Sequence, residues 1–175
     1  MKNLSTHEQN KFKWYAVYTN PRAEKKVELE LIKRSYKVFL PQRTTLKQWS
    51  DRKKKVTVPL FPSYIFIFID LERSFYDIQS ISGIVKFIRF GQEIVSIREQ
   101  QIQEIRLFLS NFDNYEVLNE VFEPKMKVEV LAGPLKGIKG SISEVKGNKL
   151  FLIEVEQIGF SLALSLPANY LKKIE

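Results

Sequence analysis

Six apolar residues stand in a row near the middle of the chain, Tyr64-Ile65-Phe66-Ile67-Phe68-Ile69. Side chains alternate between the two faces of a β-strand, so the aromatic rings project to one face and the isoleucines to the other. A strand that is apolar at every position is typically covered on both faces. The pattern therefore predicts the central strand of a sheet with further structure packed on each side.

The residues before this strand predict a strand, a helix and a second strand. Residues 14–18, Trp-Tyr-Ala-Val-Tyr, are aromatic and β-branched, which favours a strand. Asn20 followed by Pro21 is typical of a helix start, because asparagine caps a free backbone N–H and proline suits the first helical position. Ala23, Val27 and Leu31 recur every four positions, which predicts an amphipathic helix with a basic outer face that extends to about Tyr36. Residues 37–40 follow as a short strand.

The residues around and after the central strand predict a hairpin, a strand and a helix. Thr44 to Val58 is polar and carries a charged run at 51–55, so we expect a hairpin with a basic tip. Residues 85–90 predict another strand. Ser96 and Glu99 have the spacing of a capping box and predict a helix that closes the first domain.

The remainder predicts a second, all-β domain. Its apolar stretches are short, β-branched and separated by glycine or asparagine turns, as in small barrels. We therefore expect an α+β chain with a flexible leader at 1–12, a domain with an antiparallel sheet and flanking helices at 13–110, a linker at 111–123 and a β-barrel domain at 124–175.

The charge of the chain is uneven. It has 28 basic and 20 acidic residues in total. Residues 1–70 hold 15 of the basic and 6 of the acidic residues, a net charge of +9, and the remainder is close to neutral at −1. A basic surface on the first domain favours an anionic partner such as nucleic acid. The absence of cysteine, of a signal peptide and of a long apolar run predicts a cytoplasmic protein that does not bind membranes, and no feature demands more than a monomer.

The sequence argues against an enzyme. The single histidine, His7, lies in the polar leader, and there is no cysteine and no glycine-rich phosphate loop. Glu24, Glu28 and Glu30 are spaced as a helix face and not as a metal or acid–base site. We expect no catalytic residue, metal or cofactor.

Three segments occur in a diagnostic order. They are Trp14–Tyr18, Pro59–Phe66 and Gly133–Gly140, the last reading Gly-Pro-Leu-Lys-Gly-Ile-Lys-Gly. Together they resemble the NusG family of transcription elongation factors, in which an N-terminal domain is followed by a KOW barrel. The runs at 49–54 and 85–91 are similar to those of the specialised antitermination paralogs of the RfaH and UpxY kind.

The resemblance implies that the first domain binds the clamp helices of the largest RNA polymerase subunit. The matching positions are Tyr18, Phe61, Tyr64, Phe66 and Phe90. The alternative is that these aromatic side chains fill the core, as most do, and Phe66 fits that alternative best. Phe61 is the strongest contact candidate, because flanking prolines hold it in a turn with little structure nearby to cover it.

The resemblance also implies contact with the non-template DNA strand in the transcription bubble. Basic candidates are Arg22, Lys25 and Lys26 at the start of the first helix, and Arg52 and Lys53 at the hairpin tip. Their charges suit phosphates and unpaired bases. The competing interpretation is a solvated surface, because Lys and Arg are routinely exposed.

KOW domains of the family recruit either a ribosomal protein or the termination factor Rho, and both remain open here. Leu135, Ile138 and Phe160 are the candidate contacts, with a place in the barrel core as the alternative. We expect a barrel and not the helical hairpin of some paralogs.

Arg73–Tyr76 falls where the family has the loop near the polymerase gate loop. A ribosome- or RNA-associated KOW protein is the alternative function.

Overall fold

The computed structural model describes residues 11–48, 53–113, 115–119, 126–145 and 148–174, which form a mixed α and β fold in two compact units, 1–99 and 100–175. The helices are α1 (Glu24–Lys33), α2 (Leu71–Gln79) and α3 (Glu99–Asn111). The strands are β1 (Phe12–Thr19), β2 (Lys37–Phe39), β3 (Gln42–Gln48), β4 (Lys53–Pro59), β5 (Tyr64–Asp70), β6 (Ile84–Phe87), β7 (Arg89–Phe90), β8 (Glu93–Ile94), β9 (Ser96–Ile97), β10 (Glu116–Leu118), β11 (Met126–Val130), β12 (Lys139–Val145), β13 (Asn148–Val155), β14 (Phe160–Leu164) and β15 (Leu171–Lys173). Helix α3 groups mainly with the second unit, whereas the predicted boundary at 111–123 lies after it.

The first unit contains an antiparallel sheet in the order β2-β5-β1-β6, with β9 also paired to β1. The predicted central strand, β5, lies between β2 and β1. Its isoleucines, Ile65, Ile67 and Ile69, are fully buried with Val27 of α1 and Ile78 of α2. Its aromatic side chains project to the opposite face. Two hairpins, β3–β4 and β7–β8, form separate two-stranded sheets.

Helix α1 begins at Glu24 and not at Pro21 as predicted. Arg22 has a φ of 66°, a left-handed conformation that interrupts a right-handed helix. The Ala23 N–H donates to the Asn20 carbonyl at 3.0 Å, which closes a turn ahead of the helix. The Asn20 side chain therefore does not cap the helix.

Two other helix ends differ from the prediction, one because of a local backbone conformation and one because of tertiary contacts. Helix α1 ends at Lys33, because Ser35 adopts a φ of 65°. Ser96 lies in β9 and pairs with β1, so it does not begin a helix. The Glu99 carboxylate of the predicted capping box instead accepts a hydrogen bond from the Trp14 indole N–H. Tertiary contacts with β1 thus override the local capping pattern.

The segment after β5 is a helix, where the sequence analysis places a loop. Helix α2 directs Ile78 into the isoleucine core, and Leu71 and Phe75 pack against the same cluster. Tyr76, on the outer side of this helix, is 83% exposed. The apolar spacing at 71, 75 and 78 is the helical period that indicates this helix.

The second unit contains an antiparallel sheet in the order β10-β14-β13-β12-β11-β15, consistent with a KOW-type barrel. Strands β11 to β14 lie in the short apolar stretches that predicted the barrel, and β10 and β15 are additional strands. A side chain at Gly140 would place its Cβ 2.4 Å from the Leu152 carbonyl and 2.6 Å from the Phe151 ring. Only glycine permits that close approach of β12 to β13.

Candidate functional site

Six aromatic side chains of β1, β2 and β5 lie on one face of the sheet. The register places Trp14 opposite Phe68 and Tyr18 opposite Tyr64 on β1 and β5. The ring centroids of the first pair are 5.4 Å apart, and those of the second pair are 5.3 Å apart and nearly perpendicular. We call this surface the aromatic face; it comprises Trp14, Tyr18, Phe39, Tyr64, Phe66 and Phe68.

Exposure varies along the aromatic face. Trp14 and Phe66 are buried, whereas Tyr18 and Tyr64 are half-buried. Burial raises the pKa of the Tyr64 hydroxyl, and the neighbouring Tyr18 adds to the rise. The Tyr18–Tyr64 pair, at the end of β1 and the start of β5, therefore combines apolar ring surface with hydroxyl groups. This combination suits protein–protein contacts.

The turn before Tyr64 is held by a buried carboxylate. Ser63 has a φ of 66°, and its N–H donates to Oε1 of Glu24 at 2.8 Å. The Ser63 carbonyl accepts the N–H of Thr19 at 2.8 Å. Glu24 is only 5% exposed, so this hydrogen bond is shielded from water. The first turn of α1 thereby fixes the chain direction into β5 and the position of Tyr64.

Phe61 is fully buried, and the expectation that its turn leaves it uncovered is wrong. Its ring meets Phe66 edge-on at 6.1 Å. The turn folds back on the sheet, because the Leu60 N–H donates to the Pro41 carbonyl at 2.8 Å. Phe61 thus supports Phe66 from within the protein.

Phe90 lies apart from the other four candidates. It is on the β7–β8 hairpin, outside the five-stranded sheet, next to Gly91 with a φ of 59°. The side chain is 83% exposed. The structure thus brings Tyr18, Phe61, Tyr64 and Phe66 together and places Phe90 on a neighbouring hairpin.

Comparison with known proteins identifies the family. A protein-family model described as transcription termination factor NusG matches residues 12–106, more than half of the chain. The chain belongs to the NusG family. It is similar to the transcription termination/antitermination protein NusG of Rickettsia conorii, at 26% identity over 97% of this chain and 94% of the relative. The NusG of Lactococcus lactis is 23% identical over 99% and 97%.

The fold agrees with this assignment. A solved structure of Thermotoga maritima NusG aligns over 95% of this chain and 99% of that chain, with a TM-score of 0.51 and 21% identity. At that identity the likeness concerns the fold alone.

The basic candidates of this NusG-family chain lie on two elements that touch. Arg22 is exposed in the turn before α1, Lys25 and Lys26 are exposed in its first turn, and Lys53 is exposed on β4. The Lys25 ammonium donates a hydrogen bond to the Thr57 carbonyl of β4 at 3.4 Å, which links α1 to the β3–β4 hairpin. Arg52 lies outside the described residues. The described basic candidates therefore lie near or on α1 and on the β3–β4 hairpin that Lys25 contacts, and we call them together the basic surface.

The KOW candidates are buried. Leu135, Ile138 and Phe160 are 1%, 6% and 7% exposed, so their side chains contribute to the core of the second unit. A role for them in partner binding remains a prediction.

Sequence reasoning missed the supporting role of the buried Glu24, which it places with Glu28 and Glu30 on a helix face. Glu24 precedes Val27 by three residues and Leu31 by seven, so helical spacing places it on the buried stripe. That spacing was the available signal.

Among the described residues, no cluster of acidic, histidine or cysteine side chains is placed to hold a metal ion, and no helix there has the length and apolarity of a membrane span.

Proposed function

We propose that this chain is a transcription elongation and antitermination factor that binds RNA polymerase and suppresses pausing or termination. Its membership of the NusG family supports this role, because its relatives are named transcription termination/antitermination proteins. The observation that carries the proposal is the half-buried Tyr18–Tyr64 pair, held next to a turn that a buried carboxylate braces. A rigid aromatic pair loses little conformational entropy on binding.

The proposed docking partner is the pair of clamp helices of the largest polymerase subunit. Tyr18 and Tyr64 would contact the clamp helices directly, and the exposed Phe90 would add an apolar contact at the edge of the interface. Phe61 and Phe66 are buried, so we assign them a supporting role behind the tyrosines. An interface centred on tyrosines and rimmed by polar residues matches known interaction hot spots.

The basic surface is proposed to bind the non-template DNA strand. Arg22, Lys25 and Lys26 would contact phosphates or unpaired bases. Arg52 and Lys53 of the β3–β4 hairpin would contribute further contacts. Clustered cations supply a salt-dependent affinity that requires no base readout. As a specialised paralog of the RfaH or UpxY kind, this chain would act at selected operons, such as those for surface polysaccharide synthesis. The second unit would recruit a ribosomal protein or Rho.

Binding to purified core RNA polymerase tests the proposal. The full chain is labelled and titrated at physiological salt, in parallel with Tyr18→Ala, Tyr64→Ala and Tyr170→Ala variants. Tyr170 is a half-buried tyrosine of the second unit and serves as the matched control. We expect each of the first two changes to weaken binding by about tenfold or more, corresponding to about 1.4 kcal/mol, and the control to bind as wild type.

Two outcomes would contradict the proposal. One is a wild-type chain that does not bind a cognate polymerase. The other is undiminished binding by the Tyr18→Ala and Tyr64→Ala variants with their circular dichroism unchanged. If the chain instead bound structured RNA, the alternative role as a ribosome- or RNA-associated KOW protein would take precedence.

A further inference from the structure

The second unit contains a cavity of about 350 Å³ beside the first residues of β11 and β13. Met126 is the first residue of β11, and Lys149 is the second of β13. The KOW candidates lie elsewhere, and none of the three lines the cavity. The carbonyl of one of them, Ile138, accepts the N–H of Val130 at the far end of β11. The cavity is therefore separate from the positions expected to recruit a ribosomal protein or Rho.

The strand register places apolar side chains at the base of the cavity. Phe151 of β13 is opposite Ile142 of β12, and Ile142 is opposite Met126 of β11. Residues that are directly opposite in neighbouring strands share a face of the sheet, so these three side chains stand side by side. Phe151 is buried, Ile142 is half-buried and Met126 is exposed. The row thus leads from the core to a surface that solvent and ligands can reach.

Two lysines from different strands also line the cavity. Lys149 belongs to β13, and Lys173 of β15 is opposite Val128, a buried residue of the cavity wall. Both lysines are exposed, and neither has an ion-pair partner in the part of the chain that the structure describes. The other seven described residues that line the cavity are apolar. Glu144 is opposite Lys149 in the register but does not line it. The cavity therefore combines an apolar wall with uncompensated positive charge, which complements an anion.

The size and the chemistry of the cavity together define a ligand class. Its volume lies near the lower end of the range of about 300 to 1,000 Å³ that is typical of small-molecule sites, which suits a compact ring system better than a peptide segment. Aromatic rings make favourable contacts with the ring of Phe151 and with the thioether of Met126. A lysine ammonium donates charge-assisted hydrogen bonds to a carboxylate.

We propose that this cavity is a binding site for a small aromatic carboxylate. The ring of the ligand packs against Phe151 and Met126, and its carboxylate accepts hydrogen bonds from Lys149 and Lys173. The second unit then carries a small-molecule site in addition to its surface for a macromolecular partner. This inference does not depend on the binding of polymerase or DNA.

The probe for the test is 2-naphthoate, and the neutral 2-naphthamide is its matched control. The full-length chain, labelled with ¹⁵N, is titrated with each compound, and the backbone amide shifts are followed by NMR. We expect 2-naphthoate to cause saturable shifts at Met126, Lys149, Phe151 and Lys173. The amide compound should bind about fivefold or more weakly, because it lacks the charge that the two exposed lysines attract.

Two pairs of substitutions separate the lysines of the cavity from general positive charge. Lys149→Gln with Lys173→Gln should reduce the affinity for 2-naphthoate to that for 2-naphthamide. Lys127→Gln with Lys172→Gln removes the same charge from exposed positions of β11 and β15 that do not line the cavity, and it should leave the affinity unchanged.

Met126→Ala tests the apolar wall at an exposed position, and it should weaken the binding of both compounds. The dispersed amide spectrum of each variant shows that the second unit is folded. Three results would overturn the proposal: no saturable shifts at the cavity residues, equal affinities of the wild type for the two compounds, or equal losses of 2-naphthoate affinity in the two lysine pairs.

Discussion

The two faces of the N-terminal sheet are built from different side chains and have different neighbours. One face presents Ile65, Ile67 and Ile69, which are fully buried with side chains of α1 and α2. The aromatic face runs from buried Trp14 to half-buried Tyr64. The isoleucines alternate along β5 with Tyr64, Phe66 and Phe68 of the aromatic face, so a shift of one residue in the register of β5 would exchange the two sets.

The difference separates stability from binding. Aliphatic side chains pack densely between sheet and helices and leave no polar group to satisfy. Aromatic side chains offer large surfaces, and tyrosines keep a hydroxyl group at the boundary with solvent. We therefore expect changes on the isoleucine face to alter the free energy of unfolding, and changes at the Tyr18–Tyr64 end of the aromatic face to alter partner affinity.

The largest effect is expected from Ile67→Ala. Ile67 lies in the middle of β5, is fully buried and belongs to the isoleucine cluster. Truncation leaves a cavity, and such changes lower the free energy of unfolding by about 2 to 5 kcal/mol. Urea unfolding followed by circular dichroism measures the loss, with Leu29→Ala, an exposed position on α1, as the control. A loss in Ile67→Ala no larger than that of the control would contradict the division between the faces.

The second effect concerns the buried Glu24 carboxylate, which joins α1 to the turn before β5. Glu24→Ala leaves the buried Ser63 N–H without the acceptor it has at 2.8 Å. An unsatisfied buried donor costs about 1 to 3 kcal/mol of unfolding free energy. Glu24→Gln keeps an amide oxygen and should lose less, and exposed Lys26→Ala controls for a change on the same helix. Equal losses for the alanine and glutamine variants would show that the hydrogen bond to Ser63 is not what Glu24 contributes.

The sequence was sufficient for the sheet and insufficient for the turns around it. Alternation in residues 64–69 predicted both faces correctly, because strand geometry depends on a period of two and on little else. The capping pattern at Ser96 failed, because pairing with β1 outweighed a local preference. The left-handed turn at Ser63 and the buried Glu24 depend on contacts across 39 positions of the chain, which no local pattern specifies.

The candidate site was predictable to the same extent. Strand alternation places Tyr64 and Phe66 on one face of β5, but the position of Tyr18 opposite Tyr64 depends on the register of β1 and β5. The burial of Phe61 does not, because it depends on how the turn folds against Phe66. Strand β10 was likewise hidden, because three residues are too few for periodicity to be visible.

The third prediction measures the coupling within the tyrosine pair. The Tyr18 and Tyr64 rings meet edge-on at 5.3 Å, a geometry worth about 0.5 to 1.5 kcal/mol beyond area burial. A double-mutant cycle of Tyr18→Leu and Tyr64→Leu in urea unfolding should give a coupling energy in that range. A cycle of Tyr18→Leu with Leu29→Ala should give additive changes, because exposed Leu29 lies on the helix and not on the aromatic face. Coupling within error of zero for the tyrosines would mean that they act independently.

The smallest effect concerns how α2 is fastened to α1 over the isoleucine face. Asp77 accepts hydrogen bonds from the Tyr36 hydroxyl at 2.6 Å and from the Arg34 guanidinium at 2.7 Å. The hydroxyl of Tyr36, followed by the charge of Arg34, lowers the pKa of the Asp77 carboxyl. A lowered folded-state pKa means that the ionised carboxylate stabilises the fold above the unfolded-state pKa of about 3.9. That contribution is lost as the pH falls through this value toward the folded-state pKa.

Asp77→Asn should therefore be slightly less stable than wild type at pH 7, with the difference shrinking as the pH falls below about 4. Urea midpoints of both proteins at a series of pH values measure the difference. Glu72→Gln, a change of the same charge at an exposed position of α2, separates the local effect from that of net charge. A gap for Asp77→Asn that stayed constant down to acid pH would mean that the ionised form of Asp77 does not fasten the helices. The packing of α2 on the isoleucine face would then hold the helix without a contribution from the Asp77 charge, and the contrast between the two faces would be sharper than this ion pair suggests.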